Sequence, residues 1–149
     1  MKRIIMIAIF VLIIIIGGVF VAISLSNPMR KSEAVVRDYI LELTPVGTSK
    51  EKVIKFIENN AQQYKDHRHY DWFINYETYD HGMKVDSGRA MLPAHGYEYD
   101  ESELTGKETI EAAVSAYIKF FEVTVLGCWA FDEDGKLVDV GVYKSSDSF

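Results

Sequence analysis

Two histidines and a carboxylate, spaced two residues apart, are the best candidate for metal chemistry in this sequence: His67, His69 and Asp71. On a β-strand, residues two apart point to the same face, so these side chains would be able to bind one zinc ion together. Arg68 lies between the histidines, and no second pair with metal-ligand spacing follows along the chain. We therefore interpret the segment as a solvated polar edge. A metal-dependent enzyme that uses His67 and His69 is the less favoured alternative.

The single cysteine, Cys128, would act as a nucleophile only if it were partly exposed and held beside a group that lowers its pKa. It lies between Gly127 and Trp129 in an apolar stretch, which favours a packing role. One cysteine cannot form a disulfide within the chain. The sequence also contains no glycine-rich phosphate loop and no nucleophile elbow. We predict no catalytic residue, no metal site and no cofactor, and hence a protein that is not an enzyme.

An acidic stretch that contains two tyrosines is the best candidate for binding another protein. Tyrosine rings serve as anchors in protein interfaces, and carboxylates attract a basic partner. The predicted partner-binding residues are Tyr97, Tyr99, Asp100 and Glu101. An ordinary solvated loop is the alternative. A second acidic run, Asp132–Asp134, lacks the twelve-residue pattern of a calcium-binding loop and predicts a hairpin turn instead.

The charge balance argues against a nucleic acid as the partner, and no small-molecule substrate is evident from the sequence. The chain has 149 residues, with 16 Lys and Arg against 22 Asp and Glu. All 22 acidic residues follow residue 26, together with 14 of the basic residues, so this part carries a balance of −8. Such a domain repels a phosphate backbone. The length suits one ordinary domain plus an appendage.

The appendage is an apolar run at residues 4–25, in which 19 of 22 residues are apolar and none is charged. As a helix it would extend ~33 Å, enough to cross the ~30 Å hydrocarbon core of a bilayer. We predict a transmembrane anchor at 4–25, a linker at 26–32 and a small domain at 33–149. A cleaved signal peptide is the alternative, although the apolar part of a signal usually has only ~7–15 residues. A head of only three residues before a long apolar run is typical of a signal anchor, which predicts a single-pass protein of the cell membrane with its C-terminal domain outside the cytoplasm.

Two amphipathic helices open the domain. Residues 31–43 place apolar side chains at helical spacing, and the turn at 44–47 ends this helix with a proline and a glycine. Thr48 and Glu51 fit a capping box that begins the second helix. Its predicted buried stripe consists of Val53, Ile54, Ile57, Ala61 and Tyr64.

The rest of the domain favours strands. Residues 121–131 and 137–143 alternate apolar side chains around a polar turn, which predicts a β-hairpin. Residues 69–79 are rich in aromatics that favour a strand, and residues 91–104 predict a loop. The segment 109–118 fits either a helix or a strand. The predicted fold is α+β, with two helices packed on one face of an antiparallel sheet of three or four strands.

This order of elements resembles a known group of envelope proteins. Gly47–Val53 opens the second helix and Trp129–Leu137 forms the hairpin, as in the small SmpA/OmlA (BamE) proteins. The β-lactamase-inhibitor proteins have a similar architecture. The chain departs from the first group in having no cysteine for lipidation. The resemblance implies a bacterial envelope module that works through contacts with other proteins.

The predicted function follows from these points. We expect a membrane-anchored, non-enzymatic envelope protein that contacts the lipid bilayer through residues 4–25. Its exported domain binds another protein or acts as an accessory module. An immunity or inhibitor protein, which neutralises a toxin or an enzyme by surface binding, is the first alternative.

Overall fold

A computed structural model describes residues 2–64, 76–93, 96–118 and 122–146. The chain divides into two compact units, Met1–Lys31 and Ser32–Phe149. The first unit holds helix α1 (Lys2–Ser26) and a short 3-10 helix (Pro28–Arg30). The Asn27 side chain caps the 3-10 helix by accepting a hydrogen bond of 2.9 Å from the Met29 amide.

Helix α1 is the first point at which the structure corrects the prediction. The side chains described along it, at residues 5–7 and 9–19, are all exposed. Crossing a hydrocarbon core of ~30 Å takes about 20 consecutive apolar residues. Within the described residues, no helix combines the length and the apolar character needed to cross a membrane. On this basis the transmembrane helix predicted at residues 4–25 is wrong.

The two predicted helices of the domain are confirmed as α2 (Glu33–Leu43) and α3 (Lys50–Tyr64). Val36 and Ile40 of α2 are buried, as are Val53 and Ile57 of α3. The capping box is wrong in its detail. The Thr48 hydroxyl donates a hydrogen bond of 2.6 Å back to a proline carbonyl of the preceding turn, and the helix begins two residues later.

Among the described residues that follow α3, the strands form one six-stranded mixed sheet with the order β1-β4-β5-β6-β3-β2. Its strands are β1 (Glu77–Tyr79), β2 (Lys84–Asp86), β3 (Arg89–Met91), β4 (Glu108–Ile118), β5 (Glu122–Phe131) and β6 (Leu137–Ser146). All neighbouring strands are antiparallel except β3 and β6, which pair in parallel through Arg89 and Val142. The predicted antiparallel sheet of three or four strands is therefore wrong. β1 lies within residues 69–79, where a strand was predicted, whereas β2 and β3 were not predicted. These two strands have three residues each, too few to show an alternating pattern in the sequence.

The segment that fits either a helix or a strand is strand β4. It pairs with β5 from Glu108 to Ile118, and a β-bulge shifts the register between Ala113 and Ser115. Ile110 and Ala112 are buried before the bulge and Ser115 after it, so the buried positions change phase along the strand.

The sheet has an apolar cluster on each face. Because side chains alternate along β5, Trp129 points towards the helices and contacts Phe56 of α3 edge to face, with ring centroids 6.3 Å apart. Cys128 and Ala130 point the other way. They pack in a second cluster with Met83, Ala90, Leu92 and Tyr143. The predicted sheet, covered by helices on one face, therefore carries additional packing on its other face.

Candidate functional site

The loop between β3 and β4 lies beside two cavities of different character. Tyr97 lines a cavity of about 330 Å³ together with residues of β3 and β6. Glu101 lines a larger open cleft of about 740 Å³. The loop that the sequence singled out for partner binding therefore contributes to both surfaces.

The larger cavity, which we call the acidic cleft, is lined by twelve residues that include five carboxylates, one lysine and one histidine. The charged and titratable residues are Asp80, His81, Glu101, Lys107, Asp132, Glu133 and Asp134. The remaining lining residues are Gly82, Leu104, Thr105, Gly106 and Val138. The cleft thus collects acidic side chains from three separate segments of the chain.

Backbone pairing fixes the walls of the acidic cleft. Met83 and Thr105 form an isolated bridge with hydrogen bonds of 3.1 and 2.7 Å between their backbone groups. The Lys107 amide donates to the Phe131 carbonyl at 2.8 Å. A Cβ at Gly82 would lie 2.1 Å from the Thr105 carbonyl oxygen, so only glycine allows this approach of the two segments.

The hairpin turn supplies the third wall. The Asp132 carboxylate accepts hydrogen bonds from the amides of Asp134 and Lys136, at 3.0 and 2.8 Å. Gly135 has a φ of +67°, which suits glycine in a tight turn. The turn predicted for this acidic run is confirmed, and it directs the neighbouring carboxylates to the cleft.

Most of the acidic charge in the cleft is open to a partner. The Nζ atom of Lys107 lies 3.8 Å from a carboxylate oxygen of Glu133, but these two side chains are 71% and 81% exposed. Solvent screens such a pair strongly, so it neutralises little of the local field. The acidic cleft therefore attracts positively charged groups, and more strongly at low salt.

The structure gives the four predicted partner-binding residues different roles. Tyr97 is 58% exposed, and its ring stacks on Tyr99 with centroids 6.1 Å apart. The Asp100 carboxylate accepts a hydrogen bond of 3.0 Å from the Ser102 amide, which lowers the pKa of Asp100. Asp100 thus caps the 3-10 helix Glu101–Glu103, whereas Glu101 lines the acidic cleft.

Lys84 holds this loop against strand β2. Its ammonium donates a hydrogen bond of 2.5 Å to Glu103 and lies 6.0 Å from the centre of the Tyr99 ring. The ion pair raises the pKa of Lys84. Tyr99 and Glu103 of this loop are therefore held against the sheet.

A polar cluster on the second face of the sheet has no counterpart in the sequence analysis. The Tyr143 hydroxyl donates a hydrogen bond to the Glu111 carboxylate, and Glu111 lies opposite Cys128 in the β4–β5 register. Burial, followed by the negative charge of Glu111, raises the pKa of Cys128. The buried thiol is thus kept protonated, which confirms its packing role. The partial burial of Glu111 could not be inferred while its segment fitted both a helix and a strand.

The histidine segment lies outside the described residues, so His67, His69 and Asp71 have no described geometry. Within the described residues, no group of three or more His, Cys, Asp or Glu side chains could hold a metal ion. His81, which is described, is an exposed residue at the rim of the acidic cleft.

Comparison with known proteins adds no family to these observations. No family model matches the chain, and no curated protein or solved structure matches it. The resemblance to the SmpA/OmlA (BamE) group therefore stays a prediction.

Proposed function

We propose that the protein is a non-enzymatic binding module whose α+β domain binds a basic segment of another protein in the acidic cleft. The observation that carries the proposal is that five carboxylates line one cleft, which has a volume of about 740 Å³. The volume lies within the ~300–1,000 Å³ range of typical binding pockets. Opposite charge on a partner would speed its association and set its orientation.

The stacked tyrosines support the same proposal. Tyr97 and Tyr99 stack in the same loop that contributes Glu101 to the cleft, and rigid aromatic side chains are common anchors in protein interfaces. A basic partner segment with an apolar or aromatic flank would contact both features. The fold resemblance drawn from the sequence agrees with a role in protein contacts, although fold alone does not establish function.

We also propose that helix α1 contacts a lipid bilayer and keeps the protein at the cell membrane. Large apolar side chains are exposed along the described part of the helix, among them Phe10 at 65% and Ile16 at 60%. Apolar surface of this extent is solvated unfavourably by water, and lipid is a favourable alternative.

The test is the binding of a fluorescent oligo-lysine peptide to the full chain in mild detergent, measured by anisotropy. A cleft variant, Glu133→Gln with Asp134→Asn, is compared with a control variant, Glu42→Gln with Glu58→Gln. Both variants remove two negative charges, but the control residues lie on α2 and α3 and do not line the cleft. We expect the cleft variant to weaken binding by about fivefold or more and the control by less than about twofold.

The matched net charge makes the result decisive. Equal weakening by the two variants would show that the peptide senses only the overall charge of the domain, and the proposal would be rejected. No saturable binding to the unmodified protein at low salt would reject it as well.

A further inference from the structure

His81 differs from the other titratable residues of the acidic cleft, because its charge can change near neutral pH. The cleft is also lined by five carboxylates and one lysine. Carboxylates and lysines ordinarily keep their charges between about pH 6 and about pH 8, whereas a histidine gains or loses a proton in this range. A change of pH within these limits therefore alters the charge of the cleft at His81.

Packing holds His81 at the wall of the cleft. The next residue, Gly82, is buried, and a Cβ at this position would lie 2.6 Å from the Gly106 carbonyl oxygen. Met83 is fully buried and forms the isolated bridge with Thr105. Because these contacts fix the backbone that carries the imidazole ring, a charge on His81 stays at the cleft.

The imidazole ring of His81 can take up a proton without losing an internal contact. Its side chain is exposed, and in the part of the chain that the structure describes no hydrogen bond or ion pair involves it. The charged side chains that line the cleft with it are Asp80, Glu101, Lys107, Asp132, Glu133 and Asp134. Their five negative charges and one positive charge leave a formal charge of −4, which protonation of His81 changes to −3.

We propose that His81 makes the binding of a basic partner sensitive to pH, so that the acidic cleft binds the partner above neutral pH and releases it under mildly acidic conditions. A proton on the imidazole ring places a positive charge among the carboxylates that attract the partner, and like charges repel. By linkage, binding of the partner must in turn favour release of that proton. The inference rests on the proposed function, since it assigns a regulatory residue to the same cleft.

The experiment measures the affinity of the fluorescent oligo-lysine peptide for the full chain, in mild detergent at constant ionic strength, at about pH 6 and about pH 8. The peptide keeps its charge over this range. We expect the unmodified protein to bind it about two- to fivefold more weakly at the lower pH, which is the effect of one charge in a solvated site.

Two variants of the same exposed residue separate the charge of His81 from its shape. His81→Gln is neutral at both pH values and should lose most of the pH dependence while keeping the tighter binding. His81→Lys is positive at both pH values and should bind weakly throughout. The other three of the four histidines are present in every variant, so the difference between the variants reports His81 alone.

Release of protons on binding is a second measurement, made with an indicator dye in weak buffer near about pH 6.5. The unmodified protein should release protons when the peptide binds, and His81→Gln should release fewer. Equal proton release by the two proteins would contradict the competition between the proton and the peptide.

The outcomes distinguish this inference from the proposed function. If the peptide binds at the higher pH but His81→Gln keeps the full pH dependence, the role of His81 is wrong and the proposed function stands. Tight binding to His81→Lys would overturn the role of His81 in the same way. If no saturable binding occurs at either pH, the proposed function is rejected and the inference with it.

Discussion

The indole Nε1 of Trp129 donates a hydrogen bond of 3.0 Å to the hydroxyl of Thr44, joining the centre of the sheet to the end of helix α2. The same hydroxyl donates to the Ile40 carbonyl at 3.0 Å. Trp129 is fully buried and Thr44 almost so. A buried indole N–H that loses its acceptor costs its full desolvation, so this pair fixes where the helix rests on the sheet.

Replacing Thr44 with valine tests that role. Thr44→Val keeps the shape of the side chain but removes the acceptor, so we expect the free energy of unfolding to fall by about 1–3 kcal/mol. Thr44→Ser retains the hydroxyl and is the matched control. Urea denaturation followed by circular dichroism gives both values, and equal losses in the two variants would contradict the assigned role.

Arg37 secures helix α2 to the edge of strand β6. Its Nε donates to the Val140 carbonyl at 2.7 Å, and its Nη2 lies 2.6 Å from an oxygen of Asp139. We expect a double-mutant cycle of Arg37→Met and Asp139→Asn to give a coupling free energy of about 0.5–3 kcal/mol.

The ion pair of Lys107 and Glu133 is the control for this cycle, because it is longer, at 3.8 Å, and far more exposed. Its own cycle, Lys107→Met with Glu133→Gln, should give no more than about 0.5 kcal/mol. If the coupling free energy of Arg37 and Asp139 does not exceed that of Lys107 and Glu133, solvent screens both ion pairs to the same extent.

Cys128 should resist alkylation in the folded protein. The residue is fully buried, and burial raises the pKa of its thiol, so the reactive thiolate is scarce. Mass spectrometry after treatment with iodoacetamide should show little modification of the native chain and complete modification in concentrated urea. Rapid modification without denaturant would mean that the second face of the sheet opens readily.

Stability should fall at alkaline pH because of two tyrosines. Burial, followed by a hydrogen bond to a carboxylate, raises the pKa of both Tyr143 and Tyr79 well above the ordinary value of 10.0. The stabilisation that these raised pKa values give the folded protein is fully present below the pKa of tyrosine in the unfolded chain. It is lost as the pH rises above that value, because the unfolded tyrosines release protons that the folded ones retain.

Above about pH 10, each of these tyrosines makes the free energy of unfolding fall by an additional ~1.4 kcal/mol per pH unit. Tyr143→Phe should therefore reduce the fall of the free energy of unfolding with pH by this amount. Tyr79→Phe should have the same effect. The measurement is the free energy of unfolding in urea from about pH 8 to about pH 11. If the free energy of unfolding of both variants changes with pH in parallel with that of the unmodified protein, ionisation of these tyrosines does not cause the loss of stability.

The sequence by itself determined the elements whose signals are local. Helices α2 and α3 follow from apolar spacing and from the stop at residues 44–47, and the β5–β6 hairpin follows from alternation around the Asp132–Gly135 turn. Each of these signals is contained within about ten to fifteen neighbouring residues. They are therefore readable without knowledge of the rest of the chain.

Only the tertiary structure decided which distant segments meet. β4 is a strand because β5 pairs along it, whereas the apolar residues of its sequence fit strand alternation and helical spacing equally. The three-residue strands exist through partners far along the chain, as in the pairing of Arg89 with Val142. The acidic cleft likewise depends on the bridge between Met83 and Thr105, which brings separate carboxylates to one surface. Such contacts are set by packing and hydrogen bonding across the fold, and no local pattern encodes them.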